Sequence, residues 1–165
     1  MSHFTTEFKT YTTSADKVLY LVNEPITKQW IERYSKLSES LDPTYFSEDD
    51  RQNSYDKIRD KILTELHTYD FITVVVYGHP TIFADPGLQA IFAVQQNSID
   101  TIILPGISAE NCLYADFQID SGQFGCFHVE ATELLLYDKV IDSTVHRCLW
   151  DTDNALHSTI CSKEA

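Results

Sequence analysis

The chain has 165 residues, 43 % hydrophobic and 22 % charged, enough for one domain with a real core and too apolar for wholesale disorder. Its 12 basic and 25 acidic residues give a net charge of -13, which argues against nucleic-acid binding, because phosphate neutralisation needs clustered Lys and Arg. No apolar run approaches the ~20 residues of a membrane span, and Met1-Ser2-His3-Phe4-Thr5 lacks the basic start and apolar core of a signal peptide, so a cytoplasmic location is expected.

In chain order, Thr5 to Thr13 suits a short helix. Val18 to Val22 is a compact apolar run ended by Asn23-Glu24-Pro25, as in a buried strand entering a loop. Thr27 to Tyr34 suits a helix with Trp30 and Ile31 packed inward. Ser35 to Asp50 is polar and turn-rich around Pro43. A helix is expected from Ser47, three residues before Asp50 as in a capping box. Tyr55, Ile58, Ile62, Leu66 and Tyr69 then recur at spacings of three and four and form one apolar face.

Phe71 to Val76 is a β-branched strand that stops at Tyr77-Gly78-His79-Pro80. Asp85 caps a helix with Pro86 at its first position, continued by Leu88, Ile91, Phe92 and Val94. Thr101 to Leu104 is predicted as a further strand, followed by Pro105-Gly106-Ile107 and by Ser108, a cap for a helix over Ala109 to Asp116. Gly125 to Val129 and Arg147 to Trp150 are weaker strand candidates. Strands alternating with helices predict an α/β fold, a mostly parallel sheet flanked by helices. Such sheets bind ligands outside the carboxyl ends of their strands. The loops after Val76 and Leu104 therefore suggest one shared crevice.

Cys112, Cys126, Cys148 and Cys161 are widely separated with no C-x-x-C pair, and the six histidines show no H-E-x-x-H. Reduced thiols and no metal site are expected from that spacing. Tyr77-Gly78-His79-Pro80 reads either as a ligand wall or as a tight turn chosen for geometry. Ser108 either caps its own helix or turns to a ligand, and the helix start behind it favours an anion in both cases. Arg51 and Tyr55, four apart on a helix, share a face. A guanidinium beside a phenol favours phenolate and makes a usable base, although Tyr55 also fits the apolar stripe. Glu130 and Glu133, like Asp49 and Asp50, read as solvated or helix-terminal charges.

Taken together, Lys17 to Pro25, Tyr77-Gly78-His79-Pro80, Leu104 to Glu110, Cys112 to Asp116 and Gly125-Cys126 with Glu130 to Glu133 resemble the tetrapyrrole methylase superfamily. Within it, the chain is most similar to the peptide α-N-methyltransferases of borosin type. The resemblance implies S-adenosylmethionine as cofactor, with Tyr77, His79, Ile82, Ser108 and Ala109 at positions lining its pocket. It implies that Tyr45, Arg51 and Tyr55 handle the substrate amide. It also implies a peptide substrate, here supplied in trans, and a homodimer.

Thr81 stands where the family places glycine, and Asp42 where borosin enzymes often place a further tyrosine. Family members open with a strand and Gly-x-Gly loop and carry a second α/β domain. On that pattern residues 1–150 are expected to be a methyltransferase-like domain lacking its first strand, and residues 151–165 a remnant leading toward an absent second domain. Two other functions remain open: a non-catalytic module pairing with a complete methyltransferase subunit, and a methyltransferase acting on a tetrapyrrole or other small molecule.

Overall fold

The computed structural model describes residues 3–47, 51–82, 85–137, 140, 142–150 and 160–162. The chain divides into two compact units, Met1–Ser108 and Ala109–Ala165.

The first unit alternates helices and strands: α1 (Thr6–Ser14), β1 (Lys17–Leu21), α2 (Pro25–Tyr34), β2 (Ser38–Ser40), α3 (Asp42–Tyr45), α4 (Arg51–Glu65), β3 (Ile72–Val76) and α5 (Asp85–Gln96). Its sheet has the order β2-β1-β3. Both pairings are parallel, with Val18 opposite Ser38 and Thr73, and Tyr20 opposite Ser40 and Val75. Because successive side chains of a strand point to opposite faces, β1 serves two cores. Val18, Tyr20 and Val22 join Ala15, Ile31 and Val75 on one face, where Phe8 and Trp30 also pack. On the other face Leu19 meets Leu41, Ile58, Ile62, Ala90 and Val94. β1 is thus buried on both faces, which is why its sequence is a continuous apolar run rather than an alternation.

Helix ends follow capping chemistry. Thr5 accepts from the Phe8 amide at 3.0 Å, and the Glu24 carboxylate accepts from the Ile26 and Thr27 amides at 3.0 and 2.7 Å. Of the predicted capping pair, Asp50 lies outside the described residues, while the Ser47 hydroxyl donates to the Thr44 carbonyl at 2.9 Å. In α4, Ile58 and Ile62 are buried as the periodicity requires.

Besides the short α3 within the turn-rich stretch, the first unit departs from expectation over two strands. Ser38-Glu39-Ser40 is a strand although its sequence has no apolar signal. It sits at the sheet edge, and Glu39 there is clamped by Lys17 at 2.8 Å and Lys61 at 2.6 Å. Conversely, Thr101 to Leu104 is not a strand, since no ladder partner is found for it among the described residues. Ile102 and Ile103 lie exposed. A β-branched run supplies propensity, but a strand also needs a hydrogen-bonded neighbour.

The second unit comprises α6 (Ala109–Phe117), α7 (Ser121–Phe124), β4 (Cys126–Glu130), α8 (Ala131–Leu136), β5 (His146–Trp150) and β6 (Ile160–Ser162). β4 and β5 pair in parallel, with Cys126 opposite His146 and His128 opposite Cys148, and β6 joins β5 antiparallel. Val129, His146 and Cys148 are buried.

Candidate functional site

All three strands of the first unit run the same way, so their carboxyl ends share one edge. β1 leaves that edge at Leu21, β2 at Ser40 and β3 at Val76. The Glu24 carboxylate occupies the start of α2 there, so that helix dipole is already satisfied. α3 begins two residues after β2 ends, which brings Tyr45 to the same edge.

Beyond β3 the chain turns sharply. The Tyr77 amide still donates to the Leu21 carbonyl at 3.2 Å, while the Tyr77 side chain is 60 % exposed. The backbone is therefore fixed and the ring is available. Gly78 follows at φ +81°, a conformation that a side chain would strain. Nδ1 of His79 accepts from the Thr81 amide at 3.2 Å, and the Ile82 amide donates to the His79 carbonyl at 3.1 Å. His79 thus organises its own loop. Thr81, unexpected for the family, helps to hold that imidazole through its backbone.

The second predicted loop comes directly against the first. A Cβ on Gly106 would lie 2.3 Å from the Gly78 carbonyl oxygen and 3.6 Å from the Cα of His79, and one on Gly78 would lie 3.9 Å from the Cα of Ser108. Glycine is required at Gly106 because two backbones touch there. The loops after Val76 and Leu104 therefore do meet, as their shared strand-end character predicts, even though the second has no strand beneath it. Ser108 is 2 % exposed, and Ala109 opens α6 immediately after it.

Two members of the tyrosine/arginine/tyrosine set are brought together. The rings of Tyr45 and Tyr55 stack with centroids 6.1 Å apart and planes 28° from parallel. Tyr45 also packs against the Leu41, Ile58 and Ile62 cluster, so the pair stands on a rigid base. Arg51 is the first residue of α4, one turn before Tyr55; its side chain lies outside the described residues. Nearby, Asp42 is held by an ion pair with Lys28, which binds α2 to the start of α3.

Glycines that admit close backbone approach, an exposed aromatic ring, a partly buried Ile82 and a buried hydroxyl fit an adenosyl amino-acid ligand. They supply flat apolar surface on one side and hydrogen-bonding backbone on the other.

An open parallel sheet with its loops gathered at one carboxyl edge defines the ligand-binding class of α/β proteins. Residues 3–146 match the tetrapyrrole (corrin/porphyrin) methylases, and the chain belongs to that family. It is 32 % identical over 151 residues to a methyltransferase/ribosomally synthesized type I borosin cyclic peptide precursor of Gymnopilus junonius, covering 91 % of this chain and 36 % of the relative. A type III borosin precursor of Anomoporia bombycina is 34 % identical over 152 residues, 91 % of this chain and 17 % of that protein. The chain thus spans well under half the length of these curated relatives. A crystal structure of a protein of Corynebacterium diphtheriae described as cobalamin-synthesis related shares the fold. Its TM-score is 0.58 at 12 % identity, over 87 % of this chain and 65 % of the other.

Sequence reading missed a third cluster. In the second unit Cys126, His128 and Cys148 offer ligand atoms that all lie within 4.8 Å of one another. The strand register assembles them, and residue spacing alone gives no sign of it.

Proposed function

We propose that this chain is the S-adenosylmethionine-binding part of a methyltransferase that N-methylates backbone amides of a peptide supplied as a separate chain. The observation that carries the reading is the meeting of the two loops at Gly78 and Gly106, on the edge that also bears the stacked Tyr45 and Tyr55. The borosin-precursor relatives favour a peptide over a tetrapyrrole.

On this reading Tyr77 and Ile82 form the wall for the adenine and ribose. His79 holds the loop shape, while Ser108 and the Ala109 amide meet the amino-acid tail. S-adenosylmethionine supplies an electrophilic methyl group when bound. An amide nitrogen is a poor nucleophile, so the chain must take its proton or stabilise its imidate form. Tyr55 in its phenolate form, with Arg51 one turn away, accepts that proton and becomes the phenol, and Tyr45 holds the Tyr55 ring in place by stacking. The rest of the rate comes from keeping nitrogen and methyl in line. The working form is taken to be a cytoplasmic homodimer.

The test is to incubate the chain with S-adenosylmethionine and unstructured peptides, then locate new methyl groups by tandem mass spectrometry. Methylation on backbone nitrogen, lost in Tyr55→Phe, is the expected outcome. Methylation confined to side chains, or unaffected by Tyr55→Phe, contradicts the reading.

A second reading rests on a different observation. Ile102 and Ile103, exposed and with no ladder partner among the described residues, suit a surface that pairs with a complete methyltransferase subunit. A module of that kind binds its partner equally well after Tyr55→Phe.

A further inference from the structure

The geometry points to a zinc site in the second unit, with the thiolates of Cys126 and Cys148 and the Nε2 of His128 as ligands. Cys126 and His128 are two apart on β4, so they share one face of the sheet. His128 stands directly opposite Cys148 on β5, which brings all three to a single patch.

The distances suit a tetrahedral ion. Zn–S bonds of about 2.3 Å at the tetrahedral angle separate two thiolates by ~3.8 Å. The Cys126 and Cys148 sulfurs are 3.8 Å apart, too far for a disulfide bond, which needs about 2.05 Å. Neither cysteine is in a disulfide. Two thiols at a tetrahedral edge with an imidazole beside them form a donor set that selects zinc over the oxygen-seeking divalent cations.

The histidine is already oriented for the role. Its Nδ1 lies 2.9 Å from the Glu110 carboxylate. The indole N–H of Trp150 is also directed at Nδ1, but at 3.4 Å, and the two rings are stacked. The shorter, charge-assisted contact wins, so Nδ1–H donates to Glu110 and leaves the lone pair on Nε2. Glu110, His128 and the ion then form a carboxylate–histidine–metal arrangement, which fixes the tautomer and raises ligand basicity.

On the Nε2 side the Tyr114 hydroxyl donates at 2.7 Å. The common point is set by the three ligand atoms themselves, all within 4.8 Å of one another. Water completes the coordination. Binding replaces the two thiol protons by the ion and releases them to solvent. The ion would tie β4 to β5 and stabilise this unit independently of the methyltransferase edge.

The test uses the full 165-residue chain, prepared with chelator and reductant and titrated with Co²⁺. Expected are thiolate-to-cobalt charge-transfer absorption and intense tetrahedral d–d bands, saturating at one ion per chain and abolished by Zn²⁺. Cys126→Ser and His128→Gln should each weaken binding by ~10-fold or more, while Cys112→Ser on α6 should leave it unchanged. Zinc should also raise the melting temperature of the wild type and not of Cys126→Ser. Absence of the tetrahedral spectrum from folded wild-type protein overturns the proposal, whatever the variants do. So does a spectrum that persists in Cys126→Ser or depends on Cys112.

Discussion

Gly106→Ala tests whether the two strand-end loops truly share a crevice. The added Cβ would sit 2.3 Å from the Gly78 carbonyl oxygen and 3.3 Å from its carbon, against an ordinary carbon–oxygen contact of about 3.3–3.6 Å. The obstacle is backbone and cannot rotate away, so the loops must separate by roughly 1 Å. Overpacking on that scale costs about 1–3 kcal/mol, a fall in Tm of roughly 2–12 °C for a chain of this size. Displacement by 1 Å also misaligns groups that position substrate, an error that can cost ~100-fold in turnover.

Gly87→Ala is the control. Its Cβ meets only a Val76 methyl at 3.9 Å, within a helix, so about 0.5 kcal/mol of stabilisation is expected. Thermal melts read the first effect, peptide-methylation rates the second, and calorimetry with S-adenosylhomocysteine the integrity of the crevice itself. If Gly106→Ala melts and binds like wild type, the loops do not touch and the shared-crevice argument fails.

Three further outcomes follow from the same structure. Leu19→Ala removes a fully buried side chain at the centre of the sheet and should cost about 2–5 kcal/mol in chemical denaturation. Tyr55→Phe keeps the ring stacked on Tyr45 and removes only the hydroxyl, so stability should hold while methyl transfer to peptide falls by roughly 100-fold or more. Hydrogen bonds from Lys17, then from Lys61, hold the Glu39 carboxyl below the ordinary carboxylate range. Its stabilisation is therefore complete above the unfolded value of about 4.3 and fades as pH falls through the lower folded value. Glu39→Gln should be destabilised by at most roughly 1 kcal/mol at neutral pH, since the pair is partly solvated. That difference should vanish in acid, as denaturation curves at several pH values would show.

Much of the first unit was legible because apolar periodicity reports burial directly. β1 and β3 read as apolar runs, and Ile58 and Ile62 marked the inner face of α4. Ser38-Glu39-Ser40 was hidden because an edge strand held by backbone ladders and ion pairs needs no apolar residues. Thr101 to Leu104 misled for the opposite reason, having strand composition without a ladder partner among the described residues. At the candidate site, the loop residues Gly78 and Gly106 could be found from sequence because glycine at the end of a β-branched run marks close backbone approach. The stacking of Tyr45 on Tyr55 depends on the short α3, which a polar, proline-containing segment concealed. Cys126, His128 and Cys148 are spread over more than twenty residues, and only the parallel register of β4 and β5 unites them.

On the proposed function, the carboxyl edge of the β2-β1-β3 sheet binds an adenosyl cofactor. Calorimetric titration of the chain with S-adenosylhomocysteine, beside Tyr77→Ala, tests it most directly. Saturable binding at one ligand per chain is expected, displaced by S-adenosylmethionine and clearly weakened when the exposed Tyr77 ring is removed. No heat of binding from a chain shown to be folded by circular dichroism, or equal binding by Tyr77→Ala, would contradict it.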